Sequence, residues 1–524
     1  MEKIPIVRSA SVVGGATLLS RVLGLVRDML ILSLFDSYVT DAFYAAWRFP
    51  NALRRLMGEG ALSAAFIPVF NEYLKKRGRR EVWELASAVM LCLLIASAVV
   101  TVVAIVLAPW IVRIMLRGWV ADVEKFRLTV SLTRWLFPYL IFISLMALCM
   151  GILNSFGHFT MPALAPAVLN LVIILSTICI APRMGPNPQN RIFAIAMGVL
   201  VGGAVQLAMQ FPSLIKRGFT FIWGRGWCHP GLKRIIGLMI PAVGGLAVLQ
   251  VNLIVDNLLA SFLEEGSVTY LYAANRLIQF PMGIFGIGIA TVVFPLMASY
   301  AVAGDFPRLK EALNYALRLV LFITIPASAG LMVLGRPIIS LVFGHGAFLR
   351  DGSTDPTNWA LLFYAVGLFA YGGVAVIIRC YYSFEDTRTP VRVGCVAVIA
   401  NIVLDLILMG PLRHGGLALA TSLASILNFV LLVWLLRKKL GKLGLREVVI
   451  SMVKIVVATA LMATICYYTL CFISGRETGT DLVDKAMRAL VPLCAGLISF
   501  PLLAFLLRAR ELDELWDAIR HRSP

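Results

Sequence analysis

Apolar residues run through this chain in long unbroken stretches separated by short polar punctuation. Fourteen such segments lie at approximately 10–34, 42–72, 83–116, 128–155, 161–181, 192–215, 233–262, 268–300, 309–343, 358–384, 390–409, 415–436, 447–473 and 486–508. They are continuous and do not alternate with period two, so the pattern predicts helices rather than the strands of a barrel. Roughly 20 residues cross the hydrocarbon core. Several segments exceed that length, which predicts helices that tilt, bend or project. Backbone in lipid has to bond within its own segment or a closed barrel, so the expected fold is an all-α integral membrane protein with fourteen transmembrane helices.

Two passages repeat. "RFPNALRRLMGEGALSAAFIPVFNEY" (48–73) matches "QFPMGIFGIGIATVVFPLMASY" (279–300) in a Phe-Pro, a glycine-bearing stretch, a second phenylalanine–proline pair and a final tyrosine. "NSFGHFTMP" (154–162) matches "YSFEDTRTP" (382–390), and each is followed by an asparagine, Asn170 or Asn401. The offset covers six segments, an even number, so the copies keep the same orientation about an axis along the membrane normal. The sequence therefore divides into 1–220 (spans 1–6), 221–440 (spans 7–12) and 441–524, two spans outside the repeat plus a tail. "GIFGIGIA" (283–290) and "VGG" (201–203) suggest close helix packing.

Composition sharpens this picture. Hydrophobic residues make up 60% of the 524, charged residues only 14%, and the mean hydropathy is +0.88. The formal net charge of +19 would suggest nucleic acid in a soluble protein. Here the basic residues collect in short loops on one side, which predicts multi-pass insertion with both termini cytoplasmic. No cleavable leader is expected, since the first segment carries Arg21 and Arg27 and lacks a small-residue cleavage site. Nine scattered cysteines without a CxxC read as small buried hydrophobes. Isolated histidines, and the lack of any P-loop, zinc or nucleophile motif, argue against an enzyme.

The intramembrane charges form a short roster. Span one has Arg21, Arg27 and Asp28; span two has Asp41, Arg48, Arg54, Arg55 and Glu59; span eight has Arg276. Arg134, Arg318, Arg336, Arg379 and Lys454 lie elsewhere. Arg48, Arg134, Arg336, Arg379 and Lys454 sit near span ends, where long basic side chains reach an interface. Arg27, Arg55 and Arg276 fit that explanation less well. Arg55 and Glu59 stand at i,i+4 and can pair on one helix face. Even so, arginines outnumber acids in these spans, and a charge at the bilayer centre costs roughly 2.5–3.5 kcal/mol on insertion scales. An anionic ligand is expected to supply the balance, and guanidinium grips phosphate through paired donors. A second, acidic set comprises Asp256 in span seven, Asn401 and Asp405 at i,i+4 in span eleven, and Thr421 in span twelve. Carboxylate, amide and hydroxyl oxygens suit Na⁺ or H⁺, by analogy with other hard cations; capping or hydrogen bonding between spans is the alternative.

At "SRVLGLVRD", "TDAFYAAWRFPNALRRLMGEGALSAAFIPVFNEY", "FPYLIFISLMALCMGILNSFGHFTMPALAPAVLN" and "LYAANRLIQFPMGIFGIGIATVVFP" the chain resembles the MurJ (MviN) family of the multidrug/oligosaccharidyl-lipid/polysaccharide exporter superfamily. That resemblance implies a flippase for lipid II, the undecaprenyl-diphosphate-linked peptidoglycan precursor, in the bacterial cytoplasmic membrane. It implies two six-helix lobes plus two helices that form a groove for the lipid tail, and alternating access. Its functional positions fall on Arg21, Arg27, Asp28, Asp41, Arg54, Arg55, Glu59 and Arg276. Its proposed cation site, for Na⁺ or H⁺ as coupling ion, falls on Asp256, Asn401, Asp405 and Thr421. Where some members carry two acids, this chain has Asn275 and Gln279, a departure that leaves Arg276 more available to an anion. Implied partners are lipid II, membrane lipids and proteins of cell-wall synthesis. A flippase for another polyprenyl-diphosphate-linked sugar remains open on the arginines alone. A drug exporter of the superfamily is disfavoured by the basic surplus.

Overall fold

The computed structural model describes residues 3–54, 61–223, 226, 229–283, 287–475, 482–512 and 514. Among them the regular structure is helical, without strands. The helices run in the order α1 (Lys3–Leu34), α2 (Ser37–Arg54), α3 (Ala61–Lys76), α4 (Arg79–Met115), α5 (Val123–Leu136), α6 (Tyr139–Ser155), α7 (Thr160–Cys179), α8 (Pro188–Ala208) and α9 (Phe211–Ile215). There follow α10 (Pro230–Ala260), α11 (Ser267–Pro281), α12 (Ile287–Ala303), α13 (Phe306–Val342), α14 (Gly346–Arg350), α15 (Thr354–Val366) and α16 (Leu368–Ser383). The chain ends with α17 (Arg388–Leu412), α18 (His414–Leu440), α19 (Arg446–Ser474) and α20 (Leu482–Leu506). Every predicted apolar segment coincides with one helix or with two in succession. Among the described residues nine helical stretches are long and apolar enough to cross a bilayer, or ten when α15 and α16, bent by 42° at their junction, count as one.

Lipid-facing stripes account for the hydropathy. On α4, Val102, Val106, Trp110 and Ile114 are all at least 60% exposed and recur every four residues, a single apolar stripe along the helix. So large a bare surface would be unstable in water and suits a hydrocarbon solvent.

The chain packs as two compact units, Met1–Val268 and Thr269–Pro524. The first is built around aromatic rings of α3, α4 and the α6 end: Phe66 on Phe70 at 5.0 Å and Trp83 on Phe156 at 5.7 Å. In the second, α13 packs against α12, α16, α19 and α20, with Phe322 and Phe500 rings 5.0 Å apart. Helix α10 is the first span of the second sequence repeat, yet it packs on α3 and α4 inside the first unit. Grouping by repeat and grouping by packing therefore differ at this helix.

The repeat is visible in the backbone. Helices α4 and α13 are the same length, 37 residues each. The turns after α6 and α16 share one geometry. His158 N–H bonds Leu153 O at 2.9 Å, and Asp386 N–H bonds Tyr381 O at 3.1 Å. This six-to-one closure needs a left-handed residue between. Gly157 supplies it with φ +72° in the first copy and Glu385 with φ +59° in the second. The "VGG" reading holds: a Cβ on Gly202 would meet Leu169 Cδ1 at 2.7 Å, and one on Gly203 would meet Tyr139 Cδ2 at 2.8 Å. Gly288 differs, with open space around it among the described residues; the rest of its stretch, 284–287, lies largely outside them.

Candidate functional site

Helix α1 lies against α7, and this contact organises Arg27. The guanidinium bends toward the next residue: Nε donates to Asp28 Oδ1 at 2.9 Å and one terminal nitrogen to the same oxygen at 2.6 Å. The other terminal nitrogen donates to Asn170 Oδ1 on α7 at 2.9 Å. Asn170 is itself oriented by an Nδ2 bond to Ser20 O, also 2.9 Å. The Arg27 side chain is 12% exposed and that of Asp28 only 1%. Adjacent helix residues ordinarily diverge, so sequence spacing gave no sign of this pair. Arg21, one residue past Ser20, is half-buried on the same helix.

Asp41 sits in a second polar knot. Its Oδ2 accepts from Lys125 Nζ at 3.0 Å and from the Gly266 backbone N–H at 2.8 Å. Lys125 also lies over the rings of Trp119 (4.4 Å) and Tyr38 (5.0 Å). The Tyr38 hydroxyl donates to Asp122, which caps α5 by accepting from Lys125 N–H. Burial, with the Asp122 hydrogen bond second, pushes the Tyr38 phenol above its ordinary value. Gly118 N–H donates to Ser261 Oγ at 3.1 Å. The knot thus ties the start of α2, the α4–α5 connection and the α10–α11 connection at one end of the first unit. Asp41 here serves a buried ion pair.

The remaining basic positions divide. Arg48, expected to reach an interface, instead donates to Asn257 on α10. Arg54 Nε donates to Asn51 Oδ1 at 3.2 Å, one helical turn back. Arg55 and Glu59 lie outside the described residues. Arg276 belongs to the second unit, half-buried on α11. On the same helix the two positions that carry acids in some members bond each other, Gln279 Nε2 donating to Asn275 Oδ1 at 2.5 Å. Arg336 pairs with Asp355 at 2.8 Å, Arg379 lies over Phe294, and Arg134 reaches Ile105 O. With Asp41 matched by Lys125, the described parts of α1, α2 and α10 carry Arg21, Arg27, Arg48, Arg54 and, at the edge of the seventh span, Lys233 and Arg234 against Asp28 and Asp256 within the spans. Basic groups still lead.

Of the oxygen set, Asn401 and Asp405 meet. Asn401 Nδ2 donates to Asp405 Oδ2 at 2.5 Å, and both residues are buried, at 2% and 0% exposure. Thr421 on the neighbouring α18 turns its hydroxyl to Leu417 O at 2.9 Å, within its own helix. Asp256 belongs to the other unit, where Asn252 Nδ2 approaches it at 3.5 Å. Among the described residues no three His, Cys, Asp or Glu side chains gather as a metal cluster. A carboxylate with an amide oxygen suits a proton or a monovalent cation better than a transition metal.

A family model described as "Lipid II flippase MurJ" matches residues 32–478. The chain belongs to the MurJ family. A probable lipid II flippase MurJ of Vibrio cholerae is 38% identical over 435 residues, 82% of each chain. The lipid II flippase MurJ of Burkholderia cenocepacia is 34% identical over 437 residues, 82% of this chain and 84% of that one. A solved lipid II flippase MurJ in an inward closed conformation superposes with TM-score 0.78 at 28% identity, over 95% of this chain and 98% of that one. An inward-facing multidrug MATE transporter superposes with TM-score 0.68 at 16% identity over 82% of this chain and 96% of its own, a likeness of fold. MurJ proteins are transporters, and this chain is a transporter rather than an enzyme.

Within the MurJ fold several polar residues gain a role that spacing did not announce. Lys125 sits in "ADVEKF", a stretch that reads as loop charge, and meets Asp41 across 84 residues. Asn170 was visible only as a repeat marker, although it bridges 143 residues to Arg27. Asn257 offered no signal beyond being a polar residue beside Asp256.

Proposed function

We propose that this chain moves lipid II from the inner to the outer leaflet by alternating access, with the diphosphate bound by a cationic cavity. The observation that carries this reading is the family match over residues 32–478. The relatives' names supply the substrate. The local geometry supports the anion role: Arg27 is a half-buried guanidinium already oriented by Asp28 and Asn170, so docking a phosphate requires little reorganisation. Arg27, Arg55 and Arg276 take the diphosphate, Arg21 and Arg54 support them, and Asp28 positions Arg27. The sugar-peptide head occupies the aqueous cavity. The prenyl tail stays in lipid along α19 and α20, since moving it into protein would gain little.

Both termini face the cytoplasm on this reading, which places the Asp41–Lys125 knot at the outer end. An inside-negative potential acts on net charge by about 2.3 kcal/mol per charge per 100 mV. It therefore draws an empty, positive carrier back toward the inward-facing state. Asp405 with Asn401, and Asp256, would hold a coupling Na⁺ or H⁺, which supplies charge compensation at those carboxylates. The test is lipid II translocation in proteoliposomes with Arg27→Ala, Arg55→Ala and Arg276→Ala. Each should abolish transport while the protein still inserts. Undiminished transport in all three refutes the cationic site, and transport of another polyprenyl-diphosphate sugar in place of lipid II refutes the substrate.

A further inference from the structure

Beyond α20 the chain turns back on itself. Ala509 N–H bonds Ala504 O at 2.9 Å, closing around Arg508, whose φ is +51°. Ala509 then enters the second unit's core at 4% exposure, and Leu507 and Leu512 pack against it. Two acids follow. Glu511 is 1% exposed and accepts from the Ser451 hydroxyl of α19 at 2.6 Å. Glu514 accepts from a terminal nitrogen of Arg318 on α13 at 2.8 Å, and Arg318 Nε lies 3.7 Å from Glu511 Oε1. Lys454 of α19 donates to the Arg508 carbonyl at 2.9 Å. One turn before Arg318, Asn314 donates to Leu443 O in the α18–α19 connection at 2.8 Å. Arg510 with Glu447, at 3.8 Å and well exposed, adds little.

Arg318 lies twelve residues into α13, about 18 Å along its axis at 1.5 Å per residue, and is buried except for 9%. A guanidinium at such a depth needs partners. Among the described residues its ion-pair partners come from the returning tail.

We infer that residues 507–512 and 514 form a clasp whose socket is Arg318, and that the clasp fixes α19 and α20 to the second unit during transport. Arg318 is a positioning residue: it acts through the two tail acids. The inference rests on the proposed flippase cycle, in which a tail groove on α19 and α20 has to travel with one lobe. Burial raises the Glu514 carboxyl; Arg318 opposes that, and the like charge of Glu511 adds to it.

The test uses full-length protein in proteoliposomes, read three ways: lipid II translocation, lipid II binding, and amide hydrogen exchange in 507–512 against 139–155. Arg318→Ala should raise exchange in the tail by at least about tenfold, leave α6 unchanged, retain lipid II binding and slow translocation. Arg318→Lys should restore part of both tail protection and transport. The exchanged pair Arg318→Glu with Glu514→Arg should restore more than either single change. Unaltered tail exchange in Arg318→Ala overturns the clasp. Raised exchange with undiminished transport overturns its role in positioning. Failure of the wild type to move lipid II would refute the proposed function but leave the exchange result able to judge the clasp.

Discussion

Replacing Lys125 with methionine isolates the buried ion pair of the first unit. The two side chains are 4% and 2% exposed, with nitrogen and oxygen 3.0 Å apart. At that separation the attraction is about 5.5 kcal/mol for an effective dielectric of 20, most of it offset by the cost of drying two ions. Methionine fills most of the lysine's volume, so cavity formation is a minor contribution. What changes is that Asp41 stays buried with the Gly266 N–H and without its cation, at a cost of about 3–5 kcal/mol. Loss of the two ring contacts, to Trp119 and Tyr38, adds about 1 kcal/mol. Converting Asp41 to asparagine in the same chain removes the stranded charge and should recover at least about 2 kcal/mol. Thermal unfolding in detergent can be followed by a thiol reagent, because Cys149, Cys380 and Cys466 are buried and become reactive on opening. The expected order of melting is wild type, then the double variant, then Lys125→Met. If Lys125→Met melts with the wild type, or the double variant is no better than the single one, the burial argument for this pair is wrong.

Asn170→Leu should leave Arg27 paired with Asp28 yet less well oriented, weakening lipid II binding several-fold with little change in melting temperature; equal affinity would show that the α7 contact is irrelevant to the site. Gly203→Leu should destabilise by more than about 2 kcal/mol because its side chain would run into the Tyr139 ring, and a silent substitution would disprove the close approach of α8 to α6. Gly157→Ala should cost about 1 kcal/mol at its positive φ, measured by the same thiol-reagent melt. Asp386 is half-buried, and the partial desolvation alone would raise its carboxyl, but the Lys439 hydrogen bond and the Thr389 donors outweigh that and hold it below the ordinary carboxylate range. Its stabilising contribution is therefore present above the unfolded value and disappears as pH falls through the folded one. Asp386→Asn should flatten the acid side of the stability–pH profile, and an unchanged slope would remove this group from the account.

Helix placement was legible because hydropathy is a local property and lipid demands long apolar runs. The sequence also carried the repeat, and "NSFGHFTMP" and "YSFEDTRTP" mark turns with equivalent backbone bonds at Gly157 and Glu385. Pairing was harder to read. Asp41 finds Lys125, Arg48 finds Asn257 and Arg318 finds Glu514 across 84, 209 and 196 residues. No periodicity within one helix encodes such distances. Arg27 and Asp28 escaped for the opposite reason: they are neighbours, and helix geometry usually sends neighbours apart.

These pairings refine the argument from surplus charge. A count of arginines against acids treats every ion as equal, yet the acids do different work. Asp41 is held by a lysine from another helix, so part of its charge is spent on that lysine rather than on the arginines of α1 and α2. Asp28 does contact Arg27, but through one oxygen that receives two of its donors. That arrangement fixes the plane of the guanidinium, and Asn170 fixes its rotation from the α7 side. A flexible arginine would lose side-chain freedom on gripping a diphosphate; one already held loses less, so more of the contact energy appears as affinity. Pairing with a carboxylate is thus compatible with anion recognition when the carboxylate sets orientation, and the Asn170→Leu experiment separates that orientation from charge because it removes no ion.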